Sequence, residues 1–109
     1  MPMIILTTNQ SLNDDQQSKL QSLFGESMNL LSGKTPEQLM LSINDETYMT
    51  FRGLDQLCAF IELKIYNTPT DEDRLSFTKS AIDFVSDICN IPMGNIYLVI
   101  TPYPNWGKG

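Results

Sequence analysis

The chain has 109 residues, 41% apolar and 18% charged, the proportions of one soluble domain spanning 1–109 around a single core. Its formal net charge of −6 argues against a nucleic-acid partner or an anionic membrane surface, because affinity for phosphates comes from Lys and Arg. It contains no histidine, which removes Ser-His-Asp and Cys-His nucleophile systems and the usual His-based zinc sites.

The opening stretch MPMIILTTNQ has neither a basic segment nor a long apolar run, so it does not read as a secretory signal. No apolar run reaches the length of a transmembrane helix. The expected location is the cytosol, without membrane insertion. Cys58 and Cys89 are too few for a disulfide framework and are expected to be reduced core thiols.

Residues 3–8 are apolar and β-branched and predict a strand. Asn13 followed by Gln16 forms a capping-box pattern, after which Leu20, Leu23, Phe24, Met28 and Leu31 share one helical stripe. Gly33 and Pro36 stop that helix. Residues 38–44 alternate, with Leu39, Leu41 and Ile43 on one face, and Met49–Arg52 suggests a minor strand ending at Gly53.

The second half repeats the plan at an offset near fifty-six. Residues 57–66 form the longest strand candidate. Thr70 caps a helix whose stripe is read as Leu75, Thr78, Ile82, Val85 and Cys89. The acidic run Asp71-Glu72-Asp73 suits a helix start, where the macrodipole favours negative charge, better than a hard-cation site. Pro92 precedes a last strand with Ile96, Leu98 and Ile100 on one face.

Each half is therefore a β-α-β unit with parallel strands joined by a right-handed crossover. The predicted fold is a pseudo-duplicated, two-layer α/β domain: a four-stranded mixed sheet with two helices on one face. The uncovered face would carry Cys58, Phe60, Glu62, Lys64, Tyr66, Tyr97, Val99, Met40 and Ser42. That mixture is too apolar for open water and too polar for a monomer's core, and predicts an oligomer interface.

Pro2 enters the first strand directly. A small second residue invites removal of Met1, which exposes a prolyl amine at a sheet edge. A chain-terminal amine has a reference pKa of about 7.7–8.0, lowered by desolvation and by nearby cations. A drop of two units corresponds to about 2.7 kcal/mol and leaves a mostly neutral base at pH 7. Lys34, just past the first helix, is the cation to look for; the simpler reading is that it complements the helix dipole. Tyr97 lies mid-strand on the face opposite Ile96 and Leu98, where tyrosine also serves packing.

The order Pro2…Thr8-Asn9, Gly33-Lys34-x-Pro36, Cys58-Ala59-Phe60, Ile91-Pro92, Asn95-Ile96-Tyr97 and Asn105-Trp106-Gly107 resembles the macrophage migration inhibitory factor and D-dopachrome tautomerase family along nearly the whole chain. The resemblance implies a homotrimer with active sites between subunits. It implies cofactor-free keto–enol tautomerisation of phenylpyruvate- or dopachrome-like carboxylates. Pro2 would be the catalytic base, Lys34 would bind the substrate carboxylate, and Tyr97 would line the pocket from the adjacent subunit.

This sequence departs from the family at Ile65-Tyr66-Asn67, which replaces a Ser-Ile-Gly segment; Ile65 and Tyr66 would then form an altered substrate wall. Lys64 either adds a second positive charge or lines the barrel. Val99 replaces a residue often Asn. Ile61 stands where a Cys-x-x-Cys would have its second cysteine, so no thiol–disulfide activity is expected. The sequence ends at Gly109, earlier than the family's tail, which weakens the expectation of a C-terminal strand reaching the next subunit. The competing reading is a cytokine-like signalling ligand with weak or no catalysis, secreted without a signal peptide and met by a cell-surface receptor.

Overall fold

The structure, a computed structural model, describes residues 1–109. Strand β1 (Met3–Thr8) leads into helix α1 (Asp14–Ser27), strand β2 (Met40–Asn44) and strand β3 (Ala59–Ile65). Helix α2 (Asp71–Cys89) and strand β4 (Ile96–Pro102) complete the chain. The sheet order is β2-β1-β3-β4. Within each half the strands are parallel, β1 with β2 and β3 with β4, and the halves meet through antiparallel β1 and β3. This is the mixed, pseudo-duplicated sheet that the repeated pattern predicts.

The start of α1 is set by its capping residues. The Asn13 side chain accepts the Gln16 N–H at 2.8 Å, and the Gln16 side chain accepts the Asn13 N–H at 2.9 Å. Two donors that would otherwise be orphaned are thereby satisfied. Thr70 caps α2 by accepting the Asp73 N–H, and Asp71, Glu72 and Asp73 occupy the first turn of that helix. Asn90, at φ 56°, ends α2 in the left-handed conformation.

Both helices cover one face of the sheet. Ile4 and Leu6 of β1 and Ile61, Leu63 and Ile65 of β3 alternate inward against Leu20, Phe24, Phe77, Ala81 and Val85. Phe24 meets Phe84 edge-on at 4.8 Å between ring centroids, tying the two helices together.

The structure corrects three readings. The buried stripe of α2 is Phe77, Ala81, Val85 and Cys89, while Leu75 is 59% exposed. Leu75 and Phe77 are two residues apart, about 200° around the helix, so only one can face the sheet. The larger ring at Phe77, followed by small Ala81, packs closer. Met49–Arg52 is not a strand: Phe51 bridges Leu54 alone, because Arg52 (φ 54°) and Gly53 (φ 74°) both take left-handed conformations and reverse the chain at once. Cys58 is buried rather than part of the open face. Asn9 bonds the Cys58 N–H, the Thr8 hydroxyl bonds its carbonyl, and Asn9 also draws in the carbonyls of Met49 and Gln56.

The other residues assigned to the uncovered face lie there. Phe60, Glu62 and Lys64 are half-buried, alternating with the buried residues of β3. Met40, Tyr97 and Val99 are exposed, Met40 at 65%.

Candidate active site

Pro2 is buried immediately before β1. Its carbonyl accepts the Met40 N–H at 3.1 Å, the first rung of the β1–β2 pairing. Met3 stands opposite Met40 on one side and Lys64 on the other. Extending that register one residue places Pro2 between Leu39 and Ile65. Proline suits this position, since the first residue of a strand need not donate to the ladder.

Lys34 reaches the same end of the sheet from the loop after α1. A short 3-10 helix (Met28–Leu30) continues α1, and buried Leu31 anchors the loop that leaves it. Gly33 then turns at φ 78°, a conformation that favours glycine. The Lys34 N–H closes the turn on the Leu31 carbonyl at 3.0 Å. The Asp73 carboxylate, in the first turn of α2, holds this loop by accepting the Ser32 N–H at 3.0 Å and hydroxyl at 2.8 Å. Those two bonds, the backbone one first, pull the Asp73 carboxyl below its ordinary pKa. The half-buried Lys34 borders a cleft of about 270 Å³ that Ile65, Asn67 and Asp73 also line.

The amine at the chain start is held below its ordinary pKa. Burial contributes most, followed by the positive charges of Lys34 and then Lys108. In the chain described this amine belongs to Met1. Removing Met1 would move it one residue inward, to buried Pro2.

Lys108 carries no signal in the sequence, where the tail registers only as shortened. β4 pairs to Pro102 opposite Ile65, and the Tyr103 N–H returns to the Ile65 carbonyl at 2.7 Å. Trp106 packs edge-on to Tyr103 at 6.4 Å, with its indole nitrogen enclosed and without an acceptor. No periodicity marks such a segment. Only the register of β4 against β3 shows where the tail starts.

The other sequence candidates distribute unevenly. Ile65 is 1% exposed; its side chain belongs to the core beneath the helices, because it shares the inward parity of Ile61 and Leu63. Tyr66, just beyond β3, is exposed. Lys64 points to the uncovered face opposite Met3, and it is Lys108, not Lys64, whose charge joins that of Lys34 at the chain start. Tyr97 is not brought to Pro2 within the chain. It pairs with Phe60, which pairs with Thr7, five residues from Pro2 or about 16 Å along the strand. There it packs against Phe51 at 5.3 Å, with the Arg52 guanidinium 5.3 Å from the same Phe51 ring. Neither thiol is activated: burial raises the Cys58 pKa and pushes that of Cys89 up to about 11.

The sequence matches no protein-family model and no curated protein. Its fold matches solved structures closely. Leishmania major MIF2 superposes with a TM-score of 0.91 at 20% identity, over 99% of this chain and 93% of that one. The macrophage migration inhibitory factor homologue of Prochlorococcus marinus gives 0.87 at 23% identity, over 98% and 95%. The macrophage migration inhibitory factor-like protein of Entamoeba histolytica gives 0.81 at 22% identity, over 99% and 95%. The chain therefore has the macrophage migration inhibitory factor fold, over almost its full length. No helix is long and apolar enough to cross a membrane.

Proposed function

We propose that this chain, once Met1 is removed, is a cofactor-free keto–enol tautomerase related to macrophage migration inhibitory factor. The observation that supports it best is buried Pro2 at the start of β1, next to a Met1 amine that burial first, and then the charge of Lys34, hold below its ordinary pKa. A neutral secondary amine there accepts the proton from the carbon next to the substrate carbonyl. The electron pair of the broken C–H bond moves into a new C=C bond, and the carbonyl oxygen becomes an enolate that takes up a proton to give the enol. Reversal returns the ketone. Lys34 binds the carboxylate of a phenylpyruvate- or dopachrome-like substrate, and the apolar surroundings strengthen that attraction.

The working unit in this proposal is a homotrimer. The helix-free sheet face presents Met40, Tyr97 and Val99 to solvent, an apolar content that a second copy would cover. Tyr97, remote from Pro2 of its own chain, then serves the site of a neighbour.

The test compares enol–keto ultraviolet kinetics of phenylpyruvate for protein starting at Pro2 with a variant carrying an uncleavable extra residue before it. Mass spectrometry first establishes the processed fraction. Acylation turns the amine into an amide nitrogen without usable basicity, so turnover is expected only when Pro2 is first. Equal rates in the two proteins would remove the mechanism, and the signalling-ligand reading would take its place.

A further inference from the structure

The loop that presents Lys34 is tied across to α2 by one side chain from far along the sequence. Buried Leu31 anchors the start of the loop, and Pro36 opens the short 3-10 turn beyond it. Between them Gly33 takes φ 78°, and no strand or helix holds the stretch. The Ser32 N–H and hydroxyl both reach α2, where a single oxygen of the Asp73 carboxylate, Oδ2, accepts them at 3.0 and 2.8 Å. Charge-assisted bonds of this kind are the stronger sort.

Asp73 differs from the other acids at the start of α2. Asp71 pairs with Arg74 at 3.5 Å on the same helix, and Glu72 is exposed; a favourable helix dipole asks no more of them. Asp73 is half-buried, its own N–H is capped by the Thr70 hydroxyl at 3.1 Å, and its carboxylate is turned to the loop. It lines the same cleft as Lys34 and Ile65, and Ile65 is the register neighbour of Pro2. Yet Asp73 forms no ion pair with Lys34: the ion pairs in the chain are Lys19–Asp15 and Arg74–Asp71. The acid nearest Lys34 in the cleft is engaged by Ser32, and no carboxylate neutralises the lysine.

We propose that Asp73 is a positioning residue: through Ser32 it fixes the Gly33–Lys34 turn, so that the Lys34 ammonium is held at the cleft to receive a substrate carboxylate. The inference rests on the role that the tautomerase reading gives Lys34, and binding of an unreactive acid tests it apart from turnover.

Two variants separate positioning from a simple charge effect. A carboxylate in the cleft repels an anionic ligand, so by charge alone both Asp73→Asn and Asp73→Ala would bind acids more tightly. Positioning predicts opposite signs. Because one oxygen receives both Ser32 donors, the Asn amide oxygen can take its place, whereas alanine releases the loop.

The experiment measures binding of cinnamate and of uncharged cinnamamide by titration calorimetry on protein starting at Pro2, with circular dichroism melts establishing that each variant is folded. Asp73→Ala should bind cinnamate about three- to fivefold more weakly, within what one partly exposed charge pair supplies, and leave cinnamamide within about twofold. Ser32→Ala, which removes only the hydroxyl bond, should weaken cinnamate alone by about twofold. Asp73→Asn should bind cinnamate as tightly as wild type or tighter. In a Lys34→Ala background Asp73→Ala should weaken cinnamate no further, because both residues act through one charge. Cinnamate binding by Asp73→Ala that is unchanged or tighter, equal weakening of both ligands, additivity with Lys34→Ala, or no cinnamate binding by wild type would overturn the proposal. A preference for cinnamate that depends on Asp73 and Lys34, without turnover of phenylpyruvate, would instead overturn the tautomerase reading alone.

Discussion

Replacing Lys34 with alanine should separate two roles that the proposed mechanism gives to one positive charge. The first is attraction for the substrate carboxylate. Two unit charges about 4 Å apart interact by about 1 kcal/mol in water and about 4 kcal/mol in a surface-like medium. Lys34 is half-buried beside an open cleft, so the lower part of that range applies. About 1–1.5 kcal/mol corresponds to a five- to tenfold loss in kcat/KM, carried mainly by KM. The second role is on the base. The active amine is the neutral one, so the rate rises with pH through an apparent pKa below that of a free terminus. Burial and the cations of Lys34 and Lys108 depress the Met1 amine, and the same causes would act on an amine at Pro2. Removing Lys34 takes away one depressing charge, so the rise should move to higher pH. The kcat defect should then shrink at alkaline pH, while the KM defect should persist. The assay is stopped-flow ultraviolet kinetics on an enol acid and its methyl ester, from pH 5 to 9, with Lys34→Arg as the charge-retaining control. An unmoved pH profile together with an unchanged acid-to-ester preference would refute both roles.

Light scattering at micromolar concentration should give the mass of three chains, and a monomer would leave Tyr97 without a site to serve. A second pH effect concerns stability. The Cys89 thiol has its pKa raised by burial to about 11 from an ordinary 9.0, so folding favours the protonated thiol. That stabilisation is complete below pH 9 and is lost as pH rises through about 11. Two units correspond to about 3 kcal/mol. Denaturant unfolding under reducing conditions at pH 8.5 and pH 11 should show this loss in the wild type and a smaller one in Cys89→Ala; equal losses would mean that Cys89 is not the group titrating.

Local signals are legible wherever one segment carries its own instruction. Asn13 and Gln16 announce a helix start because both capping bonds lie within four residues. The alternation of β3 names its inward residues Ile61, Leu63 and Ile65 because strand periodicity depends only on the chain's own pleat. That alternation puts Ile65 on the inward face, where it packs in the core while also lining the cleft beside Lys34. Leu75 is misplaced by sequence alone because two stripes fit α2, and the choice between them depends on which side chain the sheet below accepts.

The residues by themselves determine the duplicated β-α-β plan, the pairing of strands within each half, and the candidacy of Pro2 and Lys34. These rest on periodicity, caps and the chemistry of an amine in a chain without histidine. Tertiary structure decided what depends on distant segments meeting. The antiparallel β1–β3 seam brings Ile65 beside Pro2, and the β3–β4 register brings Pro102, and with it the start of the tail, to that same end. It also carries Tyr97 to the level of Thr7, away from the Pro2 of its own chain. Charge acts through space, and no local pattern around residue 108 encodes its effect on the amine at the chain start.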